Sequence, residues 1–302
     1  MRPISVAVRR GQLVESRHVV HAVSVRDGEL VGSAGEPGLT THMRSAAKPL
    51  QALPLGLEHP ELAQEELAIA CASHEAGEEQ LAAVRSLLER AGASEDDLAC
   101  GPVEGSRLRH NCSGKHAGML LVCRTRGWPL DGYHLAGHPL QQEIFGVVAK
   151  SAGLAQGEVE TAVDGCGVVC FGLPLERMAR VFSKLVREEL PGSNPVVAAM
   201  RSRPDLIGGP EAVDTRIMRA IPGAIAKRGA EGMMCIGLPD GTGVALKVED
   251  GANRATGPAV GAYLGVEELV RLPIEDSRGE PVGEIAAEWV EDGGTELKRT
   301  GA

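Results

Sequence analysis

The sequence predicts an α+β fold in which one antiparallel sheet is built from both chain ends and a helical lobe is inserted between them. Three observations carry this prediction. Valine-rich runs separated by turn dipeptides open the chain, helical apolar spacings fill its middle, and strand patterns return near its end. The 302 residues are read as a single domain, with a sheet lobe over approximately 1–44 and 214–302 and a helical lobe over approximately 45–213.

Residues Ile4 to Arg9, Ser16 to Arg26 and Glu29 to Ser33 read as strands, and Arg10-Gly11 and Asp27-Gly28 supply the hairpin turns between them. A glycine-containing loop, Gly35 to Thr41, leads to a helix that starts near Ser45 and runs towards Gly56. Pro49 suits its first turn, where backbone N–H groups have no intrahelical partner. Leu67 to Ala72 is a short apolar run expected as a buried strand, ending at the polar loop Ser73-His74-Glu75-Ala76-Gly77-Glu78. The next helix carries Leu81, Val84, Leu87 and Leu88 on one stripe and is closed by Gly92. Further helices are expected at Ser113 to Thr125, Pro139 to Ser151, Pro174 to Arg187 and Pro195 to Arg203, the second and third with proline in the first turn. After a short helix from Asp214 to Ala220, the strand pattern returns at Gly223 to Lys227, Gly232 to Gly237 and Gly243 to Val248, the last two flanking the turn Pro239-Asp240-Gly241-Thr242. A helix over Ala259 to Val270 and a strand near Val282 to Val290 complete the pattern, and Thr295 to Ala302 is read as frayed.

Composition narrows the function. The formal net charge is −10 and no basic run occurs, which argues against nucleic acid as a partner. No apolar stretch approaches the ~20 residues of a membrane span, and Met1 to Ser16 holds no apolar run of the signal-segment kind, so no membrane partner and a cytoplasmic location are expected. The seven cysteines (71, 100, 112, 123, 166, 170 and 235) are odd in number and widely spread. In a reducing compartment such residues are core, metal-binding or catalytic rather than bridged. Lysine is scarce, 7 against 24 arginines, so a lysine inside a polar motif carries added information.

The motif on which the chemistry turns is Arg44-Ser45-Ala46-Ala47-Lys48-Pro49. Residues three apart share a helix face, so Lys48 stands where it could take the proton of Ser45 if burial or a second cation keeps its amine neutral. Taken alone, the pair favours the plainer reading of a capping serine beside a surface lysine. A second lysine stands in Lys227-Arg228-Gly229 at the end of an expected strand. A Ser-x-x-Lys at a helix start followed by Lys-x-Gly on a strand resembles the serine β-lactamases and penicillin-binding proteins. The departures are definite: the triplet is Lys-Arg-Gly instead of Lys-Ser/Thr-Gly, and the asparagines, Asn111, Asn194 and Asn253, form no Ser-x-Asn or Tyr-x-Asn element. A further group, Asn111-Cys112-Ser113-Gly114-Lys115-His116 with Asp164-Gly165-Cys166-Gly167, offers Cys112, His116, Cys166 and Cys170 as ligand types for a tetrahedral zinc. The plain alternative is cysteines packed in an apolar segment and a solvated histidine.

Five motifs in order then resemble one family. Arg-Ser-Ala-Ala-Lys-Pro at 44–49, Ala-Ser-His-Glu-Ala-Gly-Glu at 72–78, His-Asn-Cys-Ser-Gly-Lys-His at 110–116, Asp-Gly-Cys-Gly at 164–167 and Lys-Arg-Gly-Ala-Glu-Gly at 227–232 are similar to the rhizobial-type zinc-containing L-asparaginases. These are Ser/Lys amidohydrolases of the L-asparaginase II family with a serine β-lactamase/DD-peptidase-like fold. The resemblance implies hydrolysis of L-asparagine to L-aspartate and ammonia, two Ser-Lys tandems (Ser45 with Lys48, Ser73 with Lys227), a zinc held by Cys112, Lys115 and Cys166, and a homodimer. On this reading Ser45 is the nucleophile, Lys48 its base, and Lys227 keeps Lys48 neutral and assists Ser73 in protonating departing ammonia. Arg44 is the expected clamp for the substrate carboxylate, Asp164 a candidate for its ammonium or for water, and His74, Gly229 and Glu231 are further substrate-site candidates. Asp164 reads also as a turn residue, and His74 also as a structural hydrogen-bonder.

Two rival readings stay open at the level of sequence. One keeps the fold and changes the substrate, to glutamine or a β-lactam-type acyl donor. The other is a zinc-stabilised binding protein without catalytic activity.

Overall fold

The computed structural model describes residues 2–288. The main sheet takes strands from both ends of the chain: β1 (Ile4–Arg10), β2 (Leu13–Arg26) and β3 (Glu29–Ala34) from the first, and β7 (Ile225–Arg228), β8 (Met233–Gly237), β9 (Gly243–Val248), β10 (Arg271–Glu275) and β11 (Pro281–Glu288) from the second. Its order is β10-β11-β1-β2-β9-β8-β7, antiparallel throughout. Long β2 meets β1 along its first half, while β3 takes over on the same side further along. The architecture is the expected α+β one, with both termini contributing to one antiparallel sheet.

Between these strands lie α1 (Lys48–Gln51), α2 (Leu53–Glu58), α3 (Gln64–Cys71), α4 (Glu78–Ala91), α5 (Ser113–Thr125), α6 (Pro139–Ala152), α7 (Leu175–Val186), α8 (Ser193–Ser202), α9 (Pro204–Gly208) and α10 (Val213–Ala220). After β9 come α11 (Thr256–Leu264) and α12 (Glu267–Val270). Helix α7 lays an apolar face, Met178, Val181, Phe182 and Leu185, across β2, β8 and β9 and closes that side of the core. It comes so close to β9 that a Cβ at Gly243 would run into the Ala179 carbonyl oxygen.

Several expectations are corrected. Leu67 to Ala72 is no strand but, up to Cys71, the second half of α3. Glu66 caps that helix by accepting the Ala63 N–H at 3.0 Å, and Glu66 to Cys71 are buried all round, so no amphipathic period marks it as helical. The helix from Ser45 is a 3₁₀ turn, Arg44–Ala47, followed by α1 and α2, which part at Ala52 before Pro54. Pro174 ends a strand and caps α7 instead of entering its first turn, and α8 starts at Ser193, ahead of Pro195. The helix expected over Ala259 to Val270 is cut at Gly265, whose φ of +73° ends α11.

The sequence reading missed four strands. Three form a small antiparallel sheet, β4 (Thr40–His42), β6 (Val169–Pro174) and β5 (Glu160–Val163), so the region expected to be helical carries a sheet of its own. The fourth, β10, contains Pro273, which is tolerated because β10 is an edge strand. The last two residues of the strand expected at Val282 to Val290, and the tail Thr295 to Ala302, lie outside the described residues. Among the described residues no helix is long and apolar enough to cross a membrane.

Candidate active site

Ser45 is carried by the 3₁₀ turn Arg44–Ala47, which packs against β6, β7 and β8. Arg44 before it has φ +51°, the left-handed region in which a residue with a long side chain is rare and costs energy. The turn is tied at its start, where Met43 N–H donates to the Phe171 carbonyl at 2.8 Å. Gly229 on the far side must lack a side chain, because a Cβ there would lie 2.6 Å from the Met43 carbonyl oxygen. Ser45 and Ser73 both line one open cavity of about 660 Å³, with His74, Asn111, Arg228 and Gly229. The Ser45 hydroxyl makes no hydrogen bond among the described residues.

Behind that cavity two buried amines converge on Ser73. Lys48 Nζ lies 3.0 Å from Ser73 Oγ, 2.5 Å from the Ala72 carbonyl oxygen and 3.2 Å from that of Asn111. Lys227 Nζ lies 3.0 Å from the same Ser73 Oγ, 2.9 Å from the Arg228 carbonyl oxygen and 3.5 Å from Asp214 Oδ2. The tandems expected as Ser45 with Lys48 and Ser73 with Lys227 are thus one chain, Lys48–Ser73–Lys227, with Ser45 beside it.

Counting donors defines what this chain can hold. A neutral amine has two N–H donors and one lone pair; an ammonium has three donors and none. The two carbonyls at Lys48 use two donors, which leaves a lone pair for the Ser73 O–H when this amine is neutral. Burial lowers the pKa of Lys48, opposed by the negative charge at Cys112 and helped by Lys115. Burial also brings Lys227 down to about 7, with Asp214 pulling it up and Lys48 and Arg228 pushing it down. Two ammonium groups on one buried oxygen would repel each other, so the pair favours carrying one proton fewer than two free lysines.

The remaining candidates fall into place around this chain. Both ring nitrogens of buried His74 are used: Nδ1 accepts the Ala76 N–H at 3.1 Å and Nε2 bonds Ser113 Oγ at 2.8 Å. Since that hydroxyl donates to the Leu108 carbonyl, His74 carries its hydrogen on Nε2. Burial and then Lys48 lower its pKa to about 4. Arg44 Nε donates to Asp164 Oδ1 at 2.9 Å, and Asp164 also closes the turn before Val168. Glu231 is exposed at φ +59°, and its charge reaches Arg44 and Lys247. Sequence reasoning missed Asp214, which is fully buried against Lys227. An acid in the first turn of a short helix reads as an ordinary helix-start residue, so no local signal singles it out.

The cysteine cluster adjoins Lys48. Cys112 caps α5, Lys115 sits one turn in, and Cys166 comes from the 164–168 turn. Lys115 Nζ donates to Cys166 Sγ at 3.0 Å, and Cys166 hydrogen-bonds Cys112. That bond, with the charges of Lys48 and Lys115, pulls the Cys112 thiol far down against the effect of burial, while the same bond and burial push Cys166 up. Burial would lower Lys115, but the negative charge at Cys112 and the hydrogen bond to Cys166 outweigh it and raise this amine. Two sulfurs and an amine, all buried within mutual reach, fit a zinc ion in donor chemistry. The alternative set of Cys112, His116, Cys166 and Cys170 is not assembled, since among the described residues no three His, Cys, Asp or Glu side chains gather for a metal. His116 turns to the Tyr133 hydroxyl at 2.6 Å, and Cys170 lies in β6 near Arg44 and Asp164.

With this geometry in view, the sequence profile of the L-asparaginase II family matches residues 6–287. The chain belongs to the L-asparaginase II family. No curated protein matches the sequence significantly. Solved structures do match. Mglu in its native form is 14% identical, with 82% of this chain aligned to 61% of that one at a TM-score of 0.48. A probable glutaminase from Bacillus subtilis complexed with 6-diazo-5-oxo-L-norleucine is 14% identical over 83% of this chain and 84% of that one, with a TM-score of 0.40. A β-lactamase from Mycobacterium bovis is 15% identical over 81% and 94%, with a TM-score of 0.42. The L-asparaginase II chain spans 61% of the length of the first of these, and scores below 0.5 give the three likenesses no weight for its activity.

Proposed function

We propose that this L-asparaginase II chain hydrolyses the side-chain amide of L-asparagine to L-aspartate and ammonia, with Ser45 as nucleophile. The observation that carries the reading is the Lys48–Ser73–Lys227 chain opening on the cavity that Ser45 lines. Ser45 Oγ attacks the amide carbon while its proton passes to neutral Lys48. Lys48 then gives that proton to Ser73, and the Ser73 hydroxyl gives its own to the departing nitrogen, which leaves as ammonia. Water cleaves the resulting Ser45 ester along the same path in reverse order, releasing aspartate. Lys227, in its ammonium form, holds Ser73 in line and disfavours a resting proton on Lys48.

Arg44, steadied by Asp164, is proposed to clamp the substrate α-carboxylate, and Asp164 to meet the ammonium or the attacking water. His74, Gly229 and Glu231 are proposed to shape the rest of that site. Cys112, Lys115 and Cys166 would hold zinc, which when bound supplies a fixed positive charge beside the site. A cytoplasmic homodimer is proposed with this reading, on the family resemblance.

A specific observation favours a second reading, with Ser73 as nucleophile: both amines bond its hydroxyl and neither bonds Ser45. Ammonia release from asparagine and glutamine by the wild type, Ser45→Ala and Ser73→Ala decides between the two. Loss of turnover in Ser45→Ala with residual turnover in Ser73→Ala supports the first reading, and near-normal turnover in Ser45→Ala overturns it. Faster release from glutamine, or turnover of nitrocefin, would reassign the substrate.

A further inference from the structure

Asp214 stands in the first turn of α10 with no exposed surface. Its Oδ2 accepts the Arg228 backbone N–H at 3.3 Å and faces the Lys227 amine at 3.5 Å, with Arg228 Nε 4.0 Å away. Its Oδ1 has no hydrogen-bond partner. Room for that oxygen is kept by Gly208, where a Cβ would lie 2.5 Å from it. A carboxylate removed from water is costly unless a cation answers it, and Lys227 is the buried cation within reach.

Lys227 in turn faces three acceptors: the Arg228 carbonyl, Ser73 Oγ and Asp214 Oδ2. That count matches the three N–H donors of an ammonium, where a neutral amine would leave one acceptor unanswered. The titratable and charged groups facing it are Lys48 from α1, Arg228 from its own strand, Asp214 from α10 and the Cys71 thiol from α3, which burial holds neutral to about 12. Of these, Asp214 is the one acid, and it is the group that pulls the Lys227 amine up against burial, Lys48 and Arg228.

We propose that Asp214 is the positioning residue of the amine chain: it keeps Lys227 an ammonium that donates to Ser73, leaving the Ser73 hydroxyl hydrogen free for the departing nitrogen. The role rests on the reading that Ser73 delivers a proton during amide cleavage. Asp214 touches no substrate and exchanges no proton itself; it acts through Lys227.

The test uses the full chain labelled with ¹³C-lysine, with the Lys227 signal among seven lysines assigned by its loss in Lys227→Met. Asp214→Asn removes the counter-charge, so the Lys227 titration midpoint moves down by a pH unit or more, a tenfold or greater loss of proton affinity. The alkaline limb of kcat moves down with it, and KM changes less than kcat. Asp214→Glu, which keeps the carboxylate, brings both midpoints back towards the wild type. A merely structural role would lower the folded fraction and move neither midpoint. A folded Asp214→Asn with the wild-type Lys227 midpoint overturns the proposal. Should Asp214→Asn fail to fold, Gly208→Ala, which crowds Oδ1, must shift the midpoint in the same direction, and an unmoved midpoint there is equally contrary. A wild type that releases no ammonia from either amide sinks the proposed function, whereas the NMR midpoint judges Asp214 independently.

Discussion

Ser45 and Ser73 differ in what their hydroxyls have left to do. Ser73 Oγ is engaged by two amines, whereas Ser45 faces the cavity unengaged beside a backbone strained at Arg44. Ser45→Ala is therefore expected to lower kcat by about a thousandfold or more, as removal of a nucleophile does, with asparagine binding retained by calorimetry. His74 gives a second residue-scale prediction. Its pKa is about 4 in the fold against 6.5 for the unperturbed side chain, so the unfolded chain binds more protons between those values. The stability contributed by neutral His74 is complete above pH 6.5 and is lost as pH falls towards 4, about 3 kcal/mol over the interval. Urea titrations at pH 7 and pH 4 should show that loss in the wild type and a loss smaller by about that amount in His74→Gln. Equal losses in both proteins would contradict it.

At the scale of elements, the site is set by close approaches that only glycine permits. A Cβ at Gly229 would meet both the Met43 carbonyl and Met233, so Gly229→Ala should cost about 1–3 kcal/mol of stability as an overpacked contact. Because the strain falls on the turn that carries Ser45, activity should fall by more than tenfold in folded protein, read by ammonia release beside a thermal melt. The start of α5 brings Cys112 and Lys115 together, and Gly114 between them rests on the Ile69 carbonyl of α3. Zinc needs Lys115 neutral, so elemental zinc per chain should fall as pH falls, and Lys115→Ala should lose it while His116→Ala keeps it. The reverse pattern would restore the histidine as a ligand. These elements also show where sequence reasoning stops. The stripe on α4 and the cap at Gly92 were legible because α4 is half exposed, whereas α3 is buried on every side and offered no period. Strand β10 was hidden by Pro273, whose tolerance depends on an edge position that no local pattern reveals.

Across the whole molecule, the two ends of the chain were legible as one sheet because valine-rich runs and turn dipeptides recur at both. The inserted region was read too simply: β4, β5 and β6 are short, and the pairing of β4 with β6 joins residues more than 100 positions apart. The same limit applies to the site. Its lysines and serines were visible as motifs, yet which amine meets which hydroxyl depends on how α1, the loop after α3 and β7 come together. Asp214 escaped notice because its partner lies across that junction. The central claim is that an open Ser45, served by the Lys48–Ser73–Lys227 chain, becomes acylated. Its most direct test is peptide mapping by mass spectrometry after reaction with a diazoketone analogue of asparagine. The account predicts one adduct per chain, on Ser45, and none in Ser45→Ala; an adduct on Ser73 with Ser45 unmodified would contradict it.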